Sequence, residues 1–264
     1  MSKHTVTAIV PAYNEEKTVA YVVNTLLSSP LVDEVICVND GSEDNTIKVL
    51  KEFQSKIKTI DIKENKGKGN ALAEGIKHAK GVVLLFLDAD LTAFTNKHIE
   101  TLLEPLINGD YRAVLGRLLD FGGFILSDIT GQRAYYKQDL LPHLSDMRKT
   151  RYGVEVFMNR LIKKSDVKKV TLVGLKTPSK YTKHDPKTAI DTYIKEVVEI
   201  AKVITDKKII SDKNLKILKE LEEYTDFDNL KKKIKEISDI EVREFLEKYI
   251  LVYMRNSAKK KSQT

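Results

Sequence analysis

Only one cysteine, Cys37, occurs in the chain, so no disulfide can form within it. Cys37 sits in the apolar run Glu34–Val38, where a buried, inert thiol is expected, and a reducing compartment fits. Long hydrophobic runs are also missing. The longest near the middle, Val82–Leu87, has six residues, whereas a bilayer span needs about 20. The first ten residues lead into a strand-like run with no cleavage pattern, so no secretory signal is expected. A cytoplasmic protein is the expectation, either free or resting on the inner face of the membrane. No Gly-x-Gly-x-x-Gly follows the first strand-like run, and there is no Gly-Lys-Ser/Thr P-loop. Those absences argue against a nicotinamide dehydrogenase and a P-loop NTPase. Aromatic residues make up 7% of the chain, and no RRM, KH or helix-turn-helix signature appears, so nucleic acid is not expected as a partner.

What is present is a globular composition. Of 264 residues, 42% are hydrophobic and 31% charged, with a net charge of +7. This suffices for a substantial core. The positive balance suits anionic partners such as nucleotide phosphates or lipid head groups.

Strand-like and helix-like segments alternate through the first half. Strands are expected at Thr5–Val10, Glu34–Val38, Lys58–Ile62, Val82–Leu87 and Arg112–Leu115. Helices are expected at Glu15–Ser28, Asp44–Phe53, Gly69–Ala79 and Lys97–Ile107. The pattern predicts an α/β fold, a mostly parallel sheet with helices on both faces. Beyond Gly116 the alternation fails. Leu118–Asp128 reads as loop, 131–141 and 153–164 as helical, and Val167–Val173 as a strand. The predicted organisation is a catalytic domain over 1–187, with a donor half (1–116) and an acceptor half (117–187). A helical extension (188–256) and a basic disordered tail (257–264) follow. The last helix, Glu241–Met254, is amphipathic. Its apolar face is expected on the catalytic domain, in a homodimer contact, or in a membrane interface helped by Arg255 and Lys259–Lys261.

In open α/β sheets ligands bind beyond the carboxyl ends of the strands, and polar clusters gather there. They are Pro11-Ala12-Tyr13-Asn14-Glu15-Glu16, Asn39-Asp40-Gly41-Ser42, Lys66-Gly67-Lys68-Gly69-Asn70 and Asp88-Ala89-Asp90. At strand spacing Asp88 and Asp90 share a side, and two such carboxylates suit Mg2+ or Mn2+ completed by water and phosphates. Asp40 suits a base or ribose hydroxyl, or a turn. Lys68 and the glycines at 67 and 69 permit close approach of an anion.

Together these residues resemble the family 2 glycosyltransferases of the GT-A fold, over roughly residues 5–165. Pro11–Glu16 looks like the family's opening nucleotide-binding motif. Asp40 with Gly41 looks like the motif that contacts the base. Lys66–Ala71 is similar to its Gly-Lys-Gly segment, and Asp88-Ala89-Asp90 to its metal-binding Asp-x-Asp. Four motifs in order make the resemblance specific. It implies a UDP- or GDP-sugar donor, Mg2+ or Mn2+ at Asp88 and Asp90, and inversion at the anomeric carbon.

Two narrower resemblances follow, and the first is preferred because the sequence lacks a clear Glu-Asp base motif for a hydroxyl acceptor. Asp128-Ile129-Thr130-Gly131-Gln132-Arg133-Ala134-Tyr135 resembles a segment of polyprenyl-phosphate sugar synthases, which implies a polyprenyl phosphate acceptor with Arg117 and Arg133 facing phosphates. Thr92 stands where those enzymes can carry a further Gln metal ligand. Tyr152-Gly153-Val154-Glu155 resembles glucosyl-3-phosphoglycerate synthases, which implies a small polar acceptor and retention. That likeness would make His184 a further metal ligand, although an ordinary loop histidine is the simpler reading. For a hydroxyl acceptor, Asp128 and Glu155 are the candidate bases. The rival classes are a basic binding module and a nucleotidyltransferase. The second usually opens with a Gly-rich basic loop, where this chain has two acids.

Overall fold

The computed structural model describes residues 4–118, 129–177, 227–238 and 240–247. The chain forms two compact units, Met1–Pro178 and Ser179–Thr264. Asp128, His184, the tail and the expected 187/188 junction lie outside the described residues.

The first unit is built on a seven-stranded sheet. Its strands are β1 (Val6–Ala12), β2 (Glu34–Asp40), β3 (Lys58–Ile62), β4 (Val83–Phe86), β5 (Ala113–Leu118), β6 (Arg133–Tyr136) and β7 (Val167–Leu172). The spatial order is β3-β2-β1-β4-β6-β5-β7. All neighbours run parallel except β6, which is antiparallel to both β4 and β5. The helices are α1 (Val19–Leu27), α2 (Thr46–Glu52), α3 (Lys68–His78), α4 (Asn96–Ile107), α5 (Lys137–Leu140), α6 (Leu144–Met147) and α7 (Val154–Asn159).

Period-two alternation puts the two sets of strand side chains into two cores. Val6, Ala8, Val10, Val35, Cys37, Val83 and Leu85 pack with Val19, Val22 and Leu26 of α1 and Ile99, Leu102 and Leu106 of α4. Ile9, Ile36, Val38, Leu84 and Phe86 pack on the other face with Ala71, Leu72 and Ile76 of α3 and Val154 and Met158 of α7. Strands buried on both faces read as unbroken apolar runs, which is why β1, β2 and β4 were recognisable. Cys37 is fully buried, and burial pushes its thiol up to about 12, so it is inert.

Three expectations need correction. Residues 131–141 are not one helix: they hold β6 and then the short α5. Ala134 and Tyr135 enter opposite cores, and β6 fills the gap between β4 and β5, so tertiary pairing overrides the local pattern. The first helix starts at Val19, not Glu15, because the Glu15 and Glu16 amides donate to Thr46 and Asp44 instead of entering a helix. The segment 153–164 is helical only over Val154–Asn159. It closes with tight three-residue bonds from Arg160 and Leu161 to Phe157 and Met158.

In the second unit α8 (Phe227–Lys235) and α9 (Ile240–Leu246) are described, with Ile234, Ile237 and Leu246 buried. Among the described residues no helix is long and apolar enough to cross a membrane.

Helix α3 lies on β1 through Gly75, where an added Cβ would stand 2.5 Å from Ile9 Cγ2. Gly75→Ala is expected to destabilise the protein by about 1–3 kcal/mol, read as a lower urea midpoint. Combining it with Ile9→Ala should cost less than the two single changes summed, since the second removes the obstructing methyl.

Candidate active site

The loops after β1 and β2 are latched by a reciprocal set of hydrogen bonds. Asn14, at φ +56°, donates its amide to Ser42 Oγ (3.0 Å) and accepts the Glu43 amide on Oδ1 (2.8 Å). Asparagine is among the few residues that take this left-handed backbone readily. Glu15 N donates to Thr46 Oγ1 (2.8 Å), Glu16 N to Asp44 Oδ2 (3.1 Å), and Asn45 N to Glu16 Oε2 (2.9 Å). Ala12 is buried and Pro11 half-buried, while Tyr13 stays exposed at the rim.

Asp40 ties this pair of loops to the next. It is buried, and its carboxylate accepts the amides of Lys66 (3.0 Å) and Gly67 (2.8 Å). The Asp40 carboxylate thus ties the end of β2 to the loop before α3. Gly41, at φ +72°, leaves room for the Asn65 amide, which a Cβ would meet at 2.5 Å. Gly67 and Gly69 admit protein. A Cβ on Gly67 would stand 3.0 Å from Arg151, and one on Gly69 would collide with Met147 O and Thr150 Oγ1. Those glycines therefore seat the segment before α7 against the start of α3.

Lys68 then joins the two halves of the site. Its Nζ lies 2.6 Å from Asp88 Oδ1 and 2.6 Å from Glu155 Oε1. Asp88 Oδ2 accepts Gln132 Nε2 at 2.8 Å. Gly131 leaves no room for a side chain, since a Cβ there would collide with the Asp88 carboxylate. Burial alone would raise Asp88, but the Lys68 ammonium and the Gln132 bond hold it below the usual carboxylate range. Burial works against the Lys68 charge, and Asp88 and Glu155 outweigh it, so its pKa is raised. Asp88, Ala89 and Asp90 lie just past β4 in a turn, not on the strand, with both acids half-buried and Ala89 buried. The strand-spacing argument for the two acids therefore gives way to a turn that places them at the strand tip.

Arg133 departs from expectation. It is fully buried and faces no solvent phosphate. Its Nε donates to Thr130 O (2.7 Å), and Nη1 to Tyr135 Oη, Glu155 O and Asn159 Oδ1 (3.2–3.3 Å). It thus fixes the turn under Asp88 and the backbone of Glu155. Arg117 lies on β5 opposite Thr171 of β7, half-buried. Thr92 forms an isolated bridge with Lys176 (Thr92 N to Lys176 O, 2.8 Å). Sequence reasoning gave Gln132 no role, although it stands inside the Asp128–Tyr135 segment that carried a resemblance; its side chain is buried.

These contacts set the loops after β1 and β2 and a strand-tip acid pair along one sheet edge. Residues 7–171 match the family described as Glycosyl transferase family 2. The chain belongs to glycosyl transferase family 2. Its relatives include a poly-beta-1,6-N-acetyl-D-glucosamine synthase of Staphylococcus epidermidis, 41% identical over 85 residues, covering 31% of this chain and 21% of that protein. Another is a 4,4'-diaponeurosporenoate glycosyltransferase of Staphylococcus aureus, 33% identical over 100 residues, covering 37% and 27%. The chain thus matches about a fifth to a quarter of the length of these curated relatives. Among solved structures, glucosyl-3-phosphoglycerate synthase from Mycobacterium tuberculosis superposes with a TM-score of 0.59 at 21% identity, over 76% of this chain and 79% of that one, in a complex with Mn2+, UDP and glucosyl-3-phosphoglycerate. A form of the same enzyme with Mg2+ and UDP gives 0.60. The sheet is the GT-A, Rossmann-like fold expected from the sequence.

The loop latch yields a pH prediction. Burial alone would raise Asp44, but hydrogen bonds from the Thr46 side chain and amide and from the Glu16 amide hold it below the usual range. A carboxyl depressed in the folded state stabilises the protein above its unfolded value, about 3.9. That stability is lost as pH falls through the folded value. Asp44→Asn should therefore lower the urea midpoint most at pH 7 and progressively less toward pH 3. An equal difference at both pH values would show that the Asp44 charge does not hold the latch.

Proposed function

We propose that this family 2 glycosyltransferase moves a sugar from a nucleoside diphosphate sugar, UDP- or GDP-linked, to a hydroxyl of a small phosphorylated acceptor, with Mg2+ or Mn2+ at Asp88 and Asp90. The observation that carries the reading is the meeting of Asp88, Lys68, Glu155 and Gln132 in direct contact at the carboxyl edge of the sheet.

The donor set fits the metal. Mg2+ commonly uses one or two carboxylates and fills its shell with water and phosphate oxygens. Among the described residues no three His, Cys, Asp or Glu gather that would hold a metal unaided, which suits an ion sharing its shell with the donor diphosphate. Bound there, the metal supplies Lewis-acid neutralisation of the leaving diphosphate. The loops after β1 and β2 supply the nucleotide pocket, with Tyr13 at its rim. The Lys68 ammonium adds positive charge near the leaving group. Arg133 acts at one remove, fixing Thr130 and Glu155.

The position of Glu155 favours a hydroxyl acceptor. A phosphate acceptor is already an anion and needs no base, whereas a hydroxyl must give up a proton. Because Glu155 and Asp88 share one ammonium, Glu155 would stand on the leaving-group side of a donor whose diphosphate is held at Asp88. In an in-line attack the base stands on the far side. The placement therefore supports front-face attack with retained configuration, the outcome implied by the likeness to glucosyl-3-phosphoglycerate synthases.

Calorimetry with UDP, GDP and their sugars, with and without Mn2+, tests the donor site. The Asp88→Asn/Asp90→Asn variant should lose at least about 100-fold in metal-dependent donor affinity, a loss in keeping with several kcal/mol of metal assistance. Unchanged affinity and turnover would sink the assignment. Glu155→Gln should lower kcat by about 100-fold or more. NMR of the product should show retained configuration with a phosphorylated hydroxy acid as acceptor. An inverted product, or turnover only with polyprenyl phosphate, would overturn the acceptor reading.

A further inference from the structure

We propose that Lys68 holds the place of the divalent cation at Asp88 until the donor arrives, so that metal and nucleotide diphosphate enter together. This rests on the reading that Asp88 and Asp90 hold the metal.

Both oxygens of Asp88 are engaged by the chain itself. Oδ1 receives Lys68 Nζ at 2.6 Å, and Oδ2 receives Gln132 Nε2 at 2.8 Å. A divalent ion of this class sits about 2.1 Å from a carboxylate oxygen, so one on Oδ1 would crowd the ammonium already there. Two cations on one oxygen repel at close range. A metal arriving alone must therefore displace Lys68 and weaken its pairing with Asp88.

The backbone of Lys68 has little room to withdraw, so only its side chain can move. Lys68 is the first residue of α3, and Gly69 seats that helix start against Met147 O and Thr150 Oγ1. Its other contact, Glu155, is nearly buried at 7% side-chain exposure, and loss of the ammonium would leave a carboxylate there without its cation. A diphosphate changes the balance. Its oxygens give the ammonium a new acceptor beside Glu155 while the metal takes Oδ1. The exchange makes each ligand improve the affinity of the other, and the two improvements are equal by linkage.

The probes are Mn2+ alone, UDP alone and the two together, read by calorimetry and by electron paramagnetic resonance of free Mn2+. Wild type should bind Mn2+ weakly without UDP and much more tightly with it. Lys68→Met should bind Mn2+ without UDP about tenfold or more tightly than wild type, as removal of one adjacent cation predicts. Its enhancement by UDP should shrink. Lys68→Arg, which keeps the charge, should behave like wild type. If Lys68→Met fails to fold because Glu155 loses its partner, Lys68→Met/Glu155→Gln removes both charges and should show the same gain. Mn2+ affinity unchanged or weakened in the folded variant would overturn the proposal. Asp88→Asn/Asp90→Asn separates the two readings. If that variant keeps Mn2+ binding in the presence of UDP, the metal assignment fails and this proposal with it. If it loses binding while the lysine variants gain nothing, the placeholder role alone is wrong.

Discussion

Two carboxylates from distant parts of a chain can stand two contacts apart in a poorly solvated site only if a cation separates them. Lys68 is that cation. The side chains of Lys68 and Asp88 keep 20% and 27% exposure and Glu155 keeps 7%, so water screens the pairs only partly. Desolvation of such groups is costly, and removing one partner is more costly than never having built the pair. The bridge thus forces the start of α3, the turn after β4 and the start of α7 into one arrangement. Both the donor edge and the acceptor side of the site inherit their relative position from it.

The remaining contacts run outward from that bridge along the sheet edge. The β1 loop is latched to the β2 loop through Asn14, Glu15 and Glu16, and the β2 loop to Lys66–Gly67 through Asp40. Lys68 passes the connection to Asp88 and Glu155, and Gln132 and Arg133 anchor it to β6. Most of these links are hydrogen bonds or ion pairs with backbone on one side or a buried partner, and the Lys68–Asp88 pair is the half-exposed exception. Preorganisation of this kind matters for catalysis because dipoles already aimed at a developing charge need no reorganisation during the reaction.

Residues 1–116 were largely legible in the sequence. β3 has its expected bounds although its Lys-Thr-Ile-Asp-Ile run is a weak strand signal, and α4 begins within one residue of expectation because helical spacing is a strong local signal. Residues beyond Gly116 were not. β6 has four residues, Arg133–Tyr136, too few for a period to emerge, and its strand character comes from the two neighbours it bridges. Arg133 looked like a phosphate ligand because sequence shows charge and not burial. Lys68 and Glu155 are far apart in sequence, and no spacing rule brings them together; only the packing of Gly67 and Gly69 against Thr150 and Arg151 does so. The glycines were noticed for close approach by an anion, and their protein neighbours were not foreseen.

The protein neighbours of these glycines have a physical reason. A glycine-rich segment at a helix start serves close approach, and close approach by protein is as good a reason for it as close approach by a phosphate. Here a protein segment makes that approach at Gly67 and Gly69, while the Lys68 side chain between them reaches Asp88 and Glu155. The backbone is thus committed to holding α3 against the chain before α7, while one side chain carries the positive charge. A single mobile charge on a rigid base can change acceptors, from carboxylate to diphosphate, without moving the frame that holds Asp88 and Glu155. A nest of backbone amides could not make that exchange, because its charge is fixed in the fold.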